Sequence, residues 1–181
     1  MIILAICAAG VAHAQDDVQP RMQVWSKALG VECTHCHTDD NWPDASKPTF
    51  DFAQRMKRMM DGLNAGPLKS VGSVTCWTCH RGRAIPARLP SESWQKIQAE
   101  HQAEFDGNAN RGLAMSVYAA SLGVTCSHCH EDQDRAANSR PPKAMVATME
   151  KIFEDIPTYF ASRQPVTQCY MCHQGRISPA K

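Results

Sequence analysis

Apolar positions recur along this chain at helical spacing, and no stretch shows the strict alternation of a half-buried strand. Met22, Trp25 and Leu29 form one stripe, with Pro20 in the first turn and Gly30 as a stop, the order expected of a short helix. A second stripe runs from about Asn110 through Met115, Tyr118 and Leu122 to Gly123. Further helices are expected to start near Pro48 and Pro141, carrying Met56 and Met149. Their returns are expected to pass through Gly62, Asn64, Gly66 and Pro67 in one case and through Pro157 and Pro165 in the other. The polar stretch Leu89 to Phe105 predicts a helix from Ser91 or Ser93, and Asp106-Gly107-Asn108 predicts a turn. Residues 2 to 12 are almost continuously apolar, too few to span a bilayer, and lead into Ala12-His13-Ala14 before Gln15. That small-x-small ending predicts a secretion signal over 1–14, although the usual basic start is missing. The pattern as a whole predicts an all-α fold.

The methionine-bearing helices each occur twice, at a fixed offset. Cys33 and Cys126 are 93 residues apart, as are His37 and His130, Cys76 and Cys169, and His80 and His173. Leu29-Gly30-Val31 falls on Leu122-Gly123-Val124, Trp25 on Tyr118, Pro48 on Pro141, Gly82-Arg83 on Gly175-Arg176 and Pro86 on Pro179. An internal repeat of this kind predicts two copies of one supersecondary unit, related by a pseudo-twofold. The expected organisation is a signal peptide over 1–14, a first module over 15–88, a linker over 89–107 and a second module over 108–181.

The chemistry lies at four places where two cysteines three residues apart are followed directly by histidine. These are Cys33-Thr34-His35-Cys36-His37, Cys76-Trp77-Thr78-Cys79-His80, Cys126-Ser127-His128-Cys129-His130 and Cys169-Tyr170-Met171-Cys172-His173. Cysteine pairs at this spacing also build zinc sites and disulfides, but neither requires anything of the next residue. Haem c does: the two thiols add across the porphyrin vinyl groups and the histidine binds iron from one face. Four covalently attached haems are expected, a multihaem cytochrome c of two tandem dihaem modules. His35 and His128, between the cysteines, are expected to face solvent, and His101 is the one spare histidine outside a motif or the signal.

The repeat also selects distal iron ligands. Among the methionines, only Met22 with Met115 and Met56 with Met149 remain methionine on both sides of the shift. Met59, Met60, Met145 and Met171 fall on Ile152, Phe153, Phe52 and Thr78, as packing positions do, because a core tolerates apolar exchange and a thioether ligand does not. Imidazole opposite thioether raises the reduction potential relative to two imidazoles and leaves no open coordination position, which suits electron transfer rather than catalysis. Arg83 and Arg176 follow their motifs equivalently and are candidates to pair with haem propionates, the alternative being exposed arginines.

Charge adds little beyond this. The 181 residues carry 19 Lys+Arg and 18 Asp+Glu. Eight propionates would take the assembled protein to roughly −3 oxidised and about −7 reduced. No basic run interleaved with aromatics suggests nucleic acid. Haem is joined to such cysteines on the outer side of the bacterial cytoplasmic membrane, so a periplasmic location is expected. Cys7, within the signal, follows Ile6, too large for a lipoprotein cleavage site, so membrane association is expected through a partner, with a lipid anchor the disfavoured alternative. Four porphyrins in so short a chain must themselves supply much of the buried apolar surface.

The segments Ala28 to His37, Ala53 to Asn64 and Val74 to Gly82 resemble the tetrahaem cytochrome subunit of photosynthetic reaction centres. The resemblance extends over both modules and includes the methionine-bearing helices and the Cys-His-x-Gly tails. It implies that each haem lies against the helix preceding its motif, that Met22, Met56 and Met115 are distal ligands of haems one, two and three, and that the haem chain re-reduces a photo-oxidised special pair. Family members are much longer and have one bis-histidine iron. Residues 61 to 75 here contain no histidine, so Met149 is expected at the fourth iron. The expected partners are redox proteins: reaction-centre core subunits, a soluble cytochrome c or another periplasmic donor. The alternative is a free respiratory tetrahaem shuttle.

Overall fold

In the computed structural model, residues 18–39, 41–101, 111–160 and 169–180 are described, the side chains of 111–113 excepted. The signal over 1–14, the turn at 106–108 and Pro165 lie outside them. The described residues are helical, joined by turns, with one isolated bridge between Thr38 and Asn41 in place of any sheet. Among the described residues seven α-helices follow in order: α1 Val18–Leu29, α2 Pro48–Ala65, α3 Cys76–His80, α4 Ser91–Glu100, α5 Arg111–Leu122, α6 Pro141–Asp155 and α7 Cys169–His173. Three tight 3-10 turns, Cys33–His35, Cys126–His128 and Ile156–Tyr159, complete the list.

The helix starts follow the prolines. Pro48 and Pro141 each occupy the first turn of their helix, where a missing N–H costs nothing and the fixed φ suits helical entry. One expectation is corrected: α2 runs on to Ala65, so Gly62 and Asn64 belong to the helix and not to its return. Tertiary packing is the reason. A side chain at position 62 would collide with the Tyr159 hydroxyl, so glycine makes room for a neighbouring segment instead of ending the helix. Asn64 is bound by its amide to Val74, through Nδ2 to the carbonyl (2.9 Å) and Oδ1 from the N–H (2.8 Å), closing the return from within the last turn.

Helix α1 packs on α3, α5 packs on α7, and α3 and α7 pack on each other; α4 lies against α5, and α2 against the turn at 156–159. The joint between α1 and α3 is backbone on backbone. Gly30 has φ +64, and a Cβ there would overlap the Gly82 carbonyl; the Gly82 N–H donates to the Ala28 carbonyl at 2.8 Å. The same arrangement recurs between α5 and α7, where Gly123 has φ +67 and abuts the Gly175 carbonyl, and the Gly175 N–H donates to Ser121 at 2.8 Å.

The apolar core is thin. Buried apolar side chains among the described residues are Ala28, Leu63, Leu68, Leu89, Ile97, Ile152 and Phe160, few for a chain of this length. Ile85, Val24 and Trp42 stay exposed, Ile85 at 77%. The principal cluster joins the two halves: Leu63, Leu68, Met59 and Val74 meet Met149, Ile152 and Ile156. Met59 with Ile152, and Leu63 with Ile156, are equivalent positions under the 93-residue shift, and both pairs come together here.

Two substitutions test this packing by denaturant unfolding. Gly30→Ala, which forces a left-handed residue with a Cβ against backbone, is expected to cost about 2 kcal/mol or more. Ser121→Ala is expected to stabilise by about 1 kcal/mol, because the Ser121 hydroxyl is fully buried without a partner and its equivalent, Ala28, has none to satisfy.

Candidate metal centres

The four motif histidines are all anchored through Nδ1 to a backbone carbonyl. His37 meets the carbonyl of Trp42 (2.6 Å) and His130 that of Arg135 (2.8 Å), each five residues on. His80 meets Arg83 (2.9 Å) and His173 meets Arg176 (2.9 Å), each three residues on. A carbonyl oxygen only accepts, so Nδ1 carries the proton and Nε2 is left with a lone pair facing away, the tautomer that binds a metal. Burial also lowers the pKa of His80, favouring the neutral ring that ligation requires.

Local sequence explains the two classes. In the second and fourth motifs the cysteines open a helical turn, α3 or α7, which ends on a residue with φ 47, Arg81 or Gln174. Thr75 caps α3 reciprocally with Thr78, whose hydroxyl accepts the Thr75 N–H at 2.9 Å. In the first and third motifs a 3-10 turn leads into a longer loop, and that loop supplies the anchoring carbonyl. Ahead of the loop, the Thr49 hydroxyl and Lys47 Nζ hold the carbonyls of His35 and Thr34, both at 2.5 Å. After the third motif, Arg140 forks onto both Glu131 oxygens at 3.1 Å. Lys143 Nζ donates to the carbonyls of Arg135 (3.0 Å), Ala136 (2.8 Å) and Ala137 (2.8 Å).

At the third motif the expected ligand set converges. A cavity of about 660 Å³ is bounded by Met115 from α5, by Cys126, Cys129 and His130, and by apolar side chains including Leu122 and Val146. That volume lies within the roughly 300–1,000 Å³ of cofactor pockets. Two thiols, an imidazole and a thioether lining one largely apolar cavity fit a covalently tethered haem. Tyr118 closes part of the wall, its hydroxyl donating to Glu150 at 2.8 Å; burial and that bond hold its pKa well above the usual phenol range.

Four of the thiols are held protonated by burial. Burial raises the pKa of Cys36, Cys76 and Cys129 and pushes Cys169 up to about 11. Cys79 and Cys172, equivalent under the repeat, are joined as a disulfide with Cα atoms 4.3 Å apart. A sulfur can hold another sulfur or a vinyl carbon but not both, so this bond and haem attachment at motifs two and four are alternative states of the same atoms. No three His, Cys, Asp or Glu side chains among the described residues form a group able to hold a metal ion, so four-cysteine zinc sites are not formed there.

The other predicted ligands are distributed less simply. Met22 on α1 and Met56 on α2 are half-buried. Met149, expected beside the fourth motif, packs with Met59 against Leu63, Leu68 and Ile152. His101 shares a hydrogen bond through Nε2 with the Ser116 hydroxyl at 2.7 Å. His35 is exposed as expected, whereas His128 is half-buried. Arg83 and Arg176 are exposed at the side chain, and it is their carbonyls that serve the sites. Sequence reading missed Trp42 and Arg135, because a carbonyl anchor leaves no mark on residue type. It also missed Arg81, whose Nη1 donates to Gln174 (3.0 Å) and Nη2 to the Cys172 carbonyl (2.6 Å). The signal for this pair was available: positions 81 and 174 follow their motifs equivalently.

A family model described as the photosynthetic reaction centre cytochrome c subunit matches residues 21–122. The photosynthetic reaction center cytochrome c subunit of Rubrivivax gelatinosus is 35% identical over 79 residues, covering 42% of this chain and 20% of that protein. The protein of the same description from Roseobacter denitrificans is 22% identical over 163 residues, covering 80% of this chain and 43% of the relative. The chain thus spans less than half the length of either relative.

Asn64→Ala removes both bonds that tie α2 to the backbone of Val74, just ahead of the second motif. It is expected to lower stability by about 2 kcal/mol in denaturant unfolding, with Asn64→Asp recovering only part because one backbone partner is then lost.

Proposed function

The chain belongs to the photosynthetic reaction centre cytochrome c subunit family, and from that premise we propose that it carries electrons as a four-haem c-type cytochrome on the periplasmic side of the membrane. Cys33 and Cys36, Cys76 and Cys79, Cys126 and Cys129, and Cys169 and Cys172 would hold the haems. His37, His80, His130 and His173 would bind iron on one side and Met22, Met56, Met115 and Met149 on the other. The observation that carries this reading is the cavity at motif three, which gathers two thiols, an imidazole and a thioether around an apolar space of cofactor size. Haem c bound in such a site supplies one-electron chemistry at iron.

The protein's own part is to hold and space. Each Nδ1 bond to a carbonyl fixes ring orientation, so little has to reorganise when charge changes. The packing of α1 on α3, α3 on α7 and α7 on α5 supports a spatial order of motifs one, two, four and three, with two dihaem modules meeting about a pseudo-twofold. Arg81, bonded to Gln174 and to the Cys172 carbonyl, would lock the two central motifs together. Attachment at Cys79 and Cys172 requires both as thiols, so haem attachment there and the bond between them exclude each other. No helix among the described residues is long and apolar enough to cross a membrane, and docking onto reaction-centre core subunits is proposed as the route to the membrane surface.

Pyridine haemochrome analysis of exported protein is expected to give four haems per chain, and near-infrared magnetic circular dichroism to give only His/Met signals. A bis-histidine signal from one iron in four would reassign Met149. Added to membranes with reaction centres depleted of their cytochrome, the reduced protein is expected to speed re-reduction of the flash-oxidised special pair. Unchanged kinetics would point to the respiratory shuttle instead.

A further inference from the structure

The two copies differ at one position beside an anchored histidine. Phe50 and Lys143 are equivalent under the 93-residue shift, each in the first turn of its module's long helix. Phe50 presents its ring to His37, with centroids 5.5 Å apart and planes at 77°. Lys143 instead donates its ammonium to the Arg135 carbonyl at 3.0 Å, and that oxygen also accepts the His130 Nδ1 proton at 2.8 Å. One acceptor therefore serves two donors in the second copy, whereas among the described residues the Trp42 carbonyl accepts from His37 alone, at 2.6 Å.

We propose that Lys143 is a positioning residue that weakens the carbonyl's hold on the His130 proton and so raises the reduction potential of the third haem above that of the first. A carbonyl already bound by an ammonium pulls less on the imidazole N–H, the ring carries less negative character, and it donates less to iron. Less donation disfavours the ferric state. The positive charge itself acts in the same direction, because the oxidised haem carries one more positive charge than the reduced. The charged side chains lining the cavity at the third motif, Arg135, Lys143 and Glu150, sum to +1, and their equivalents Trp42, Phe50 and Lys57 do the same. The shared acceptor is what differs. Lys143 also ties Ala136 and Ala137 by their carbonyls, which keeps the Arg135 oxygen in its place.

This inference rests on the reading of His130 as an iron ligand, and the test separates the two. Wild type, Lys143→Met and Lys143→Arg are first assayed for haem content; fewer than four haems in wild type defeats the underlying reading and not this one. Spectroelectrochemical titration then resolves the one-electron steps, and Met115→His marks the step belonging to the third haem by lowering it. In Lys143→Met the marked step is expected to fall by on the order of tenfold in its equilibrium constant, about 59 mV, with the other steps unmoved. Lys143→Arg is expected to keep the wild-type value. An unmoved step in Lys143→Met, or an equal fall in Lys143→Arg, overturns the proposal. If Lys143→Met loses its third haem, Lys143→Gln, whose neutral amide can still brace the loop but pulls less on the carbonyl than an ammonium and carries no charge, is titrated in its place: a fall supports the proposal and no change overturns it.

Discussion

Two glycines brought into backbone contact, once in each half of the chain, underlie the geometry of the sites. Gly30 and Gly82 approach so closely that a Cβ at position 30 would overlap a carbonyl, and Gly123 and Gly175 do the same. Through these joints the helix ahead of one cysteine motif is fastened to the residues just after the next. A short helix of twelve residues has little stability of its own, and α1 and α5 are both of that length. What keeps each in register is the hydrogen bond from Gly82 or Gly175 into its last turn. The same tails carry Arg83 and Arg176, whose carbonyls orient His80 and His173, so one structural joint also sets the ring planes of two candidate ligands.

The thin core has a related consequence. A chain that buries few apolar side chains cannot rely on packing alone to fix a site, and here hydrogen bonds to backbone carry much of the positioning. Thr49 and Lys47 brace the first motif; Arg140 and Lys143 brace the third; Asn64 and Thr75 brace the second. The two copies use different side chains for the same purpose. Conserved backbone geometry with divergent braces leaves room for the sites to differ electrostatically while the tethered groups keep their spacing.

The principal apolar cluster and the Arg81 contacts both draw on residues from the two halves. The halves therefore share a core, and neither carries its own complete one. Equivalent positions brought together, Arg81 bonded to Gln174 and Met59 in one cluster with Ile152, are what a twofold relation brings to its axis. The division at residues 88 and 108 follows the repeat in sequence, while the packing crosses it.

The sequence by itself determined the helical elements, their starts at Pro48 and Pro141 and their glycine stops at 30 and 123, and its cysteine and histidine spacing is what raises the expectation of haem attachment. All of these are local: a fixed φ, a left-handed φ, or a reaction that demands residue types at fixed spacing. Only the tertiary structure decided that Gly62 and Asn64 lie within α2, because Tyr159 and Val74, distant in sequence, are what hold them there. It also decided which carbonyl anchors each histidine. Any residue type supplies a carbonyl, so Trp42 and Arg135 leave no trace of that role in composition or periodicity. The placing of Met115 in a cavity with its motif, and of Met149 in the shared apolar cluster, was likewise invisible to a repeat that treats both simply as methionine. A thioether suits a core and a metal equally, and only its neighbours in space distinguish the two.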